Sequence, residues 1–249
     1  MNLLSKIKIS TFTYIFLLLS LLSGYFTYIF ILILFIIIHE LGHLIIASFL
    51  NFKIDKVIIY PFGGITKFDN LLNTPIYKEF LVCIFGPITQ IIFYILLYYI
   101  YIIGFISNNT FESITIINYS LLSFNLLPIL PLDGSKILNL ILEKFFSYKL
   151  SNKIVIITSI IMIVFVCLLN QKIFYIVITL LLLKSIYKEI ILYKYQFNKF
   201  LLERYLYNFN FKKTKIINNI NNVKRECNHI FKYKNKYIKE KDYLRKMFD

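Results

Sequence analysis

The chain has 249 residues, 58% of them hydrophobic, with a mean hydropathy of +0.69. Runs of Ile, Leu, Phe and Tyr on that scale exceed what a soluble domain of this length can bury, so a wholly soluble protein is excluded and an α-helical polytopic membrane protein is expected. The formal net charge of +15 is uneven, because residues 193–249 hold 15 Lys/Arg against 5 Asp/Glu, which reads as a cytoplasmic tail drawn to anionic lipid headgroups and not as a nucleic-acid surface.

At about 20 apolar residues per crossing, six segments read as spans: 9–22, 26–50, 78–103, 114–130, 153–169 and 173–192. The first is short, lacks a small-residue cleavage site and runs straight into the second, so it is expected to be a retained span and not a removed signal peptide. Ser23-Gly24, Ser107-Asn108-Asn109 and Asn170-Gln171 punctuate the spans as turns. Lys6 and Lys8 precede the first span, Lys53 and Lys56 follow the second, and Lys144, Lys149 and Lys153 lie between the fourth and fifth, whereas residues 104–113 contain no Lys or Arg. The positive-inside rule then puts both termini in the cytoplasm. The expected division is a six-span membrane domain over 1–192 and a basic cytoplasmic tail over 193–249. Cys83, Cys167 and Cys227 are far apart in sequence and read as packing residues.

The second span contains His39-Glu40-Leu41-Gly42-His43. An ionisable side chain at the centre of a span costs roughly 2.5–3.5 kcal/mol on insertion scales, so three such residues within one turn and a half need a reason. On a helix, positions i and i+4 share a face; His39 and His43 can therefore direct their rings at one Zn²⁺ while Glu40 reaches a water bound to it. These residues lie seven to eleven positions from the cytoplasmic end of the span, roughly 10–17 Å deep.

Downstream, Lys53–Phe68 is rich in β-branched residues around Gly63-Gly64 and reads as a membrane-associated β-hairpin. The stretch Phe124-Asn-Leu-Leu-Pro-Ile-Leu-Pro-Leu-Asp-Gly134 places Pro128, Pro131 and Gly134 around an acid, so a helix must break there. A catalytic zinc takes three protein ligands and keeps a fourth position for water. Of the thirteen Asp and Glu, Glu40 and Asp133 are the two lying well inside apolar segments, which makes Asp133 the third ligand. His229 belongs to the tail.

Glu40 then has the role of general base towards the water and of proton donor to the leaving amine. A helical substrate must unwind first. The hairpin edge at Gly63 and Gly64 can pair with an unwound segment, and Asn125 can hydrogen-bond its backbone. Plainer readings stand beside these. A His-Glu-x-x-His match recurs by chance, and the apolar surroundings together with Asp133 are what favour a metal. Asp133 can instead cap a helix or pair with Lys136, and Asn125 can be a helix-breaking or interhelical residue. Gly86-Pro87 reads as a kink allowing close helix approach; Tyr60, Glu79 and Gln90 read as packing or interface residues. A metal or proton transporter is the alternative function, since intramembrane His and Asp also mark ion pathways, and a partner-binding scaffold is a third.

With these residues in hand, the chain resembles the site-2 protease family of intramembrane zinc metalloproteases. The resemblance rests on His39-Glu40-Leu41-Gly42-His43, Phe62-Gly63-Gly64, Gly86-Pro87, Asn125-Leu-Leu-Pro128 and Pro131-Leu132-Asp133-Gly134 in that order. Phe200-Leu-Leu-Glu-Arg-Tyr205 and Lys224-Arg-Glu-Cys-Asn-His229 are similar to the sporulation branch of that family. The resemblance implies one Zn²⁺ per chain and cleavage of a membrane-associated sigma-factor precursor, that of sigma-K. It further implies inhibitory membrane partners and residence in the mother-cell membrane around the forespore. That branch often ends in a nucleotide-responsive CBS module, of which the tail looks like a shortened, basic version. The family commonly has Asn three residues after Gly-Pro; this chain has Gln90, so no substrate-contact role is carried to that position.

Overall fold

A computed structural model describes residues 7–9, 26–60, 63–68, 70–169, 173–233 and 236–249, together with positions 11, 13–15, 18 and 24. The expected first span, most of the Ser23-Gly24 turn and the Asn170-Gln171 turn lie largely or wholly outside these residues. Among the described residues, the order is β1 (Ile7–Ile9), α1 (Phe26–Phe49), β2 (Ile54–Tyr60), β3 (Gly63–Phe68), α2 (Ile76–Ile102), α3 (Asn108–Asn125), α4 (Asp133–Phe145), α5 (Tyr148–Leu169), α6 (Ile173–Leu206), β4 (Lys213–Ile217), a 3₁₀ turn (Ile220–Asn222), β5 (Cys227–Tyr233), β6 (Lys236–Lys239) and α7 (Glu240–Phe248). The chain is mostly helical. Three of the described helices are long and apolar enough to cross a membrane: Phe26–Phe49, Ile76–Ile102 and Tyr148–Leu168.

Two compact units divide the chain, the first within 1–70 and 81–125, the second within 71–80 and 126–249. In the first, the expected hairpin is present: β2 and β3 pair antiparallel, with Ile59 opposite Gly64 and Tyr60 opposite Gly63. Its tip, Pro61-Phe62, lies outside the described residues. The short β1 adds in parallel to β2, giving the order β1-β2-β3 and leaving β3 terminal among the described strands. Ile31, Phe35 and Ile36 of α1 pack on Ile114, Ile117 and Leu121 of α3. That contact buries one face of α1 while Leu41 and Ile45, on another, stay exposed. Ser107 opens α3 by accepting the Thr110 N–H on its hydroxyl at 3.3 Å, a side-chain cap that satisfies an otherwise orphaned donor.

The second unit contains the expected helix break. After α3 the chain runs irregularly through 126–132, its turns held by Ile129 N–H to Leu127 O and Leu132 N–H to Ile129 O, both 2.8 Å. Ser159 of α5 accepts the Leu130 N–H at 3.0 Å, replacing a bond the broken helix cannot supply. A Cβ at Gly134 would lie 2.1 Å from Leu126 O, so this return requires glycine.

The tail is folded. α6 continues past residue 192 to Leu206, and beyond it β4 pairs parallel with β5 and β5 antiparallel with β6. Val223, Phe231 and Leu244 share a core with Tyr148 of α5 and with Phe197, Phe200 and Leu201 of α6. The Phe200–Tyr205 and Lys224–His229 segments meet through Arg204, which hydrogen-bonds Glu240 Oε1 at 2.5 Å and contacts Cys227 O. Burial alone would raise the Glu240 carboxyl, but hydrogen bonds from His229 and Arg204 outweigh it and hold the group at about 2. The buried Arg225 joins the tail to the start of α2 through Glu79 and to α4 through Glu143, with Nη1 2.7 Å from Glu143 Oε2.

Candidate active site

α1 lifts His39, Glu40 and His43 from one turn and a half of helix, and all three are buried. Their ligand atoms lie within 4.8 Å of one another. The burial explains how such residues are accommodated in a span: they face protein, not lipid.

The ring tautomers follow from the outer contacts. His43 Nδ1 lies 2.7 Å from Val82 O, which can only accept, so Nδ1 donates and Nε2 keeps its lone pair. His39 Nδ1 lies 3.0 Å from Gln90 Oε1. Gln90 Nε2 in turn sits 3.0 Å from both the backbone oxygen and Oδ1 of Asn118, which fixes the amide orientation and makes Oε1 the acceptor. His39 therefore also presents its Nε2 lone pair. The two Nε2 atoms are 3.2 Å apart, with ring planes inclined at 79°.

Two facing lone pairs at that distance repel unless a cation sits between them. Nitrogens bound 2.0–2.1 Å from a tetrahedral zinc lie about 3.3 to 3.4 Å apart, so the pair fits a zinc ion. The outer hydrogen bonds are of the kind that orient metal-ligating imidazoles.

α2 completes the setting. Val82, Gly86 and Gln90 recur every four residues and so share a face of α2. A Cβ on Gly86 would come within 2.3 Å of His43 Nε2 and 2.9 Å of His39 Nε2. Close approach of helices is what Gly86 was expected to allow, and the partners turn out to be the two imidazoles. Gly42 plays the matching part on α1, where a Cβ would meet Thr89 Oγ1 at 2.1 Å and Phe85 O at 2.5 Å.

Glu40 is held from the sheet. Thr66 of β3 donates its hydroxyl to Glu40 Oε2 at 2.7 Å, two residues beyond Gly64. Thr66 and Gln90 are the site residues that the sequence reading missed. A glutamine one helical turn after a glycine in an apolar span was a signal for the second; a lone Thr in a hairpin gave none for the first.

The remaining residues are placed as follows. Gly63 and Gly64 open β3. Asn125 is buried and is the last residue of α3. Asp133, also buried, is the first residue of α4 in the second unit. The helix cap there is Leu132, with no side-chain capping bond, so Asp133 does not cap α4. Its Oδ1 accepts from Lys136 Nζ at 2.9 Å, the pairing weighed above.

The model of peptidase family M50 matches residues 27–108 and 103–169. Stage IV sporulation protein FB of Bacillus subtilis is 33% identical over 213 residues, covering 82% of this chain and 73% of that protein. A zinc metalloprotease of Methanocaldococcus jannaschii is 34% identical over 122 residues, 48% of this chain and 35% of that protein. The solved site-2 protease from Methanocaldococcus jannaschii superposes with a TM-score of 0.58 at 27% identity, covering 74% of this chain and 89% of that one. The His-Glu-His cluster and these likenesses agree, and the transporter reading gives way to them. The chain belongs to peptidase family M50, the site-2 proteases, and is an intramembrane zinc metalloprotease.

Proposed function

We propose that this protease cuts a membrane-associated precursor, the sigma-K precursor of sporulation, at a zinc held by His39 Nε2, His43 Nε2 and Asp133. The observation that carries the chemistry is the pair of Nε2 atoms 3.2 Å apart beside the buried Glu40. Similarity to a stage IV sporulation protein over 82% of the chain supports the substrate. When bound, zinc polarises a carbonyl and lowers the pKa of a water.

The protein residues supply the rest. Glu40 takes the proton of the attacking water and hands it to the leaving amine. Thr66 occupies Oε2 of that carboxylate, which leaves Oε1 for the transfer. β3 is the terminal strand among those described, so an unwound substrate segment can add along it at Gly63 and Gly64, beside Thr66 and Glu40. Asn125 hydrogen-bonds the segment. The basic tail over 193–249 is a shortened CBS-like module, the termini are cytoplasmic in the mother-cell membrane around the forespore, and inhibitory membrane proteins restrain the enzyme. The test is co-expression with a tagged sigma-factor precursor, comparing wild type with Glu40→Gln by blot. Cleavage lost in the variant, with the protein still in the membrane, supports the proposal; cleavage by both refutes it.

A further inference from the structure

A cavity of about 820 Å³ opens between the tail sheet and the segments that lead into two membrane helices. One wall is residues 71–76, ending where α2 begins; another is Lys144 and Phe145, three residues before α5 starts at Tyr148. Ile76 and Tyr148 are each the first residue of a helix apolar and long enough to span. The first turns of both helices are polar, with Lys78 and Glu79 in one and Lys149, Ser151 and Asn152 in the other, so the cavity sits at headgroup level.

Its lining is strongly cationic. Lys144, Lys212, Lys213, Lys215 and Lys224 all contribute, against a single lining acid, Glu226. Glu226 Oε1 is engaged by the Ile76 N–H at 2.7 Å, and the lining Arg225 is committed to Glu79 and Glu143. Four of the lysines are exposed, while Lys224 is partly buried with its ammonium donating to Phe145 O. Phe209 and Phe211 stack at 5.7 Å and add an apolar wall, and the lining Phe145 is 66% exposed.

We propose that this cavity binds the phosphate headgroup of an anionic phospholipid, with the lysines on the phosphate and the phenylalanines against glycerol and upper acyl carbons. The crowding of like charges supports it: burial, and then Lys215 beside it, lower the Lys224 pKa, a cost that a bound anion relieves. The headgroup, and not a soluble phosphate, is the occupant because both the exposed Phe145 and the cavity's place at the mouths of two spans require a ligand that lies in the membrane interface. The lipid thereby pins the tail to the bilayer. This inference does not rest on the proposed substrate.

The experiment is native mass spectrometry of the full chain in neutral detergent, titrated separately with dioleoyl phosphatidylglycerol, dioleoyl phosphatidylcholine, inorganic phosphate and ATP. Wild type is expected to retain phosphatidylglycerol and not phosphatidylcholine. Lys215→Gln/Lys224→Gln is expected to weaken that binding at least about tenfold, from roughly fivefold per lysine. Lys236→Gln/Lys246→Gln, with the same charge change outside the cavity, is expected to leave it unchanged. Lys144→Gln/Lys212→Gln provides a second variant on exposed positions should loss of Lys224 disturb the tail. Equal retention of the two lipids overturns the proposal, as does equal weakening by the outside pair or unaltered binding in both cavity variants. Binding of phosphate or ATP without phosphatidylglycerol overturns the lipid as the source.

Discussion

Gln90 accepts the Nδ1 proton of His39 at 3.0 Å while its own amide nitrogen is anchored on both oxygens of Asn118. A chain of three residues on three helices thus sets which nitrogen His39 turns inward. Replacing an orienting partner of a metal-bound imidazole typically costs 10–100-fold in metal affinity. Gln90→Leu is accordingly expected to release zinc to a competing chelator at about 10–100-fold lower chelator concentration than wild type, and Asn118→Leu to do so less severely. An unchanged competition curve for Gln90→Leu would mean that His39 is oriented by something else.

Gly86→Ala puts a methyl group where the imidazoles converge, 2.3 Å from His43 Nε2. Neither ring can yield without leaving its outer hydrogen bond, so zinc content and proteolysis are both expected to fall by more than about tenfold. Leu41→Ala, within the motif but on the exposed face of α1, is expected to keep its zinc. Metal analysis of the two purified variants compares a change on the site with one beside it.

Thr66→Val removes the donor to Glu40 Oε2 and leaves both histidines in the chain. A hydrogen bond to a charged group contributes about 1.5–3 kcal/mol, so kcat is expected to fall about 10–100-fold with KM and zinc content near wild type, and Thr66→Ser to restore it. A rise in KM alone would instead put Thr66 on the substrate strand.

Arg225 is buried with Glu143, and its second partner is Glu79. Burial raises the Glu143 carboxyl while the guanidinium opposes that rise. Removing one member of such a cluster strands the others, at about 3–5 kcal/mol. Thermal unfolding of Arg225→Gln should therefore occur well below wild type, and the Arg225→Gln/Glu143→Gln double variant should be less destabilised than the sum of the single changes. Strict additivity would show that the pair does not act as a unit.

The hydrogen bonds from His229 and Arg204 hold Glu240 at about 2 in the folded tail, below the ordinary glutamate value of 4.5. A depressed carboxyl stabilises the fold fully above its unfolded pKa and loses that contribution as pH falls through the folded one. The window is about pH 4.5 down to about 2, and the amount is about 3 kcal/mol. Hydrogen exchange of residues 227–248 in the full chain is expected to accelerate across that window in wild type. Glu240→Gln is expected to exchange fast already at neutral pH and to show a flatter dependence on acid.

The parts of this protein legible in the sequence are those set by local pattern. The i, i+4 histidines needed only helical periodicity, the hairpin only β-branched runs around Gly63-Gly64, and the break after Asn125 only Pro128, Pro131 and Gly134. The roles of Thr66, Gln90 and Glu79 depend on partners 26, 51 and 146 positions away, and no local pattern states those pairings. In the tail, resemblance alone suggests a shortened CBS-like module, because the Lys and Asn content masks the periodicity of its short strands. Its order comes from Phe231 and Leu244 packing on Phe200 and Leu201, together with the ion pairs of Arg204 and Arg225.

The most direct test of the zinc centre is X-ray absorption at the zinc edge on the purified full chain. One four-coordinate zinc is expected, with two imidazoles and oxygen in the remaining positions, and one imidazole fewer in His43→Ala. A zinc bound through sulfur, a spectrum without imidazole scattering, or a protein that holds no zinc would contradict it.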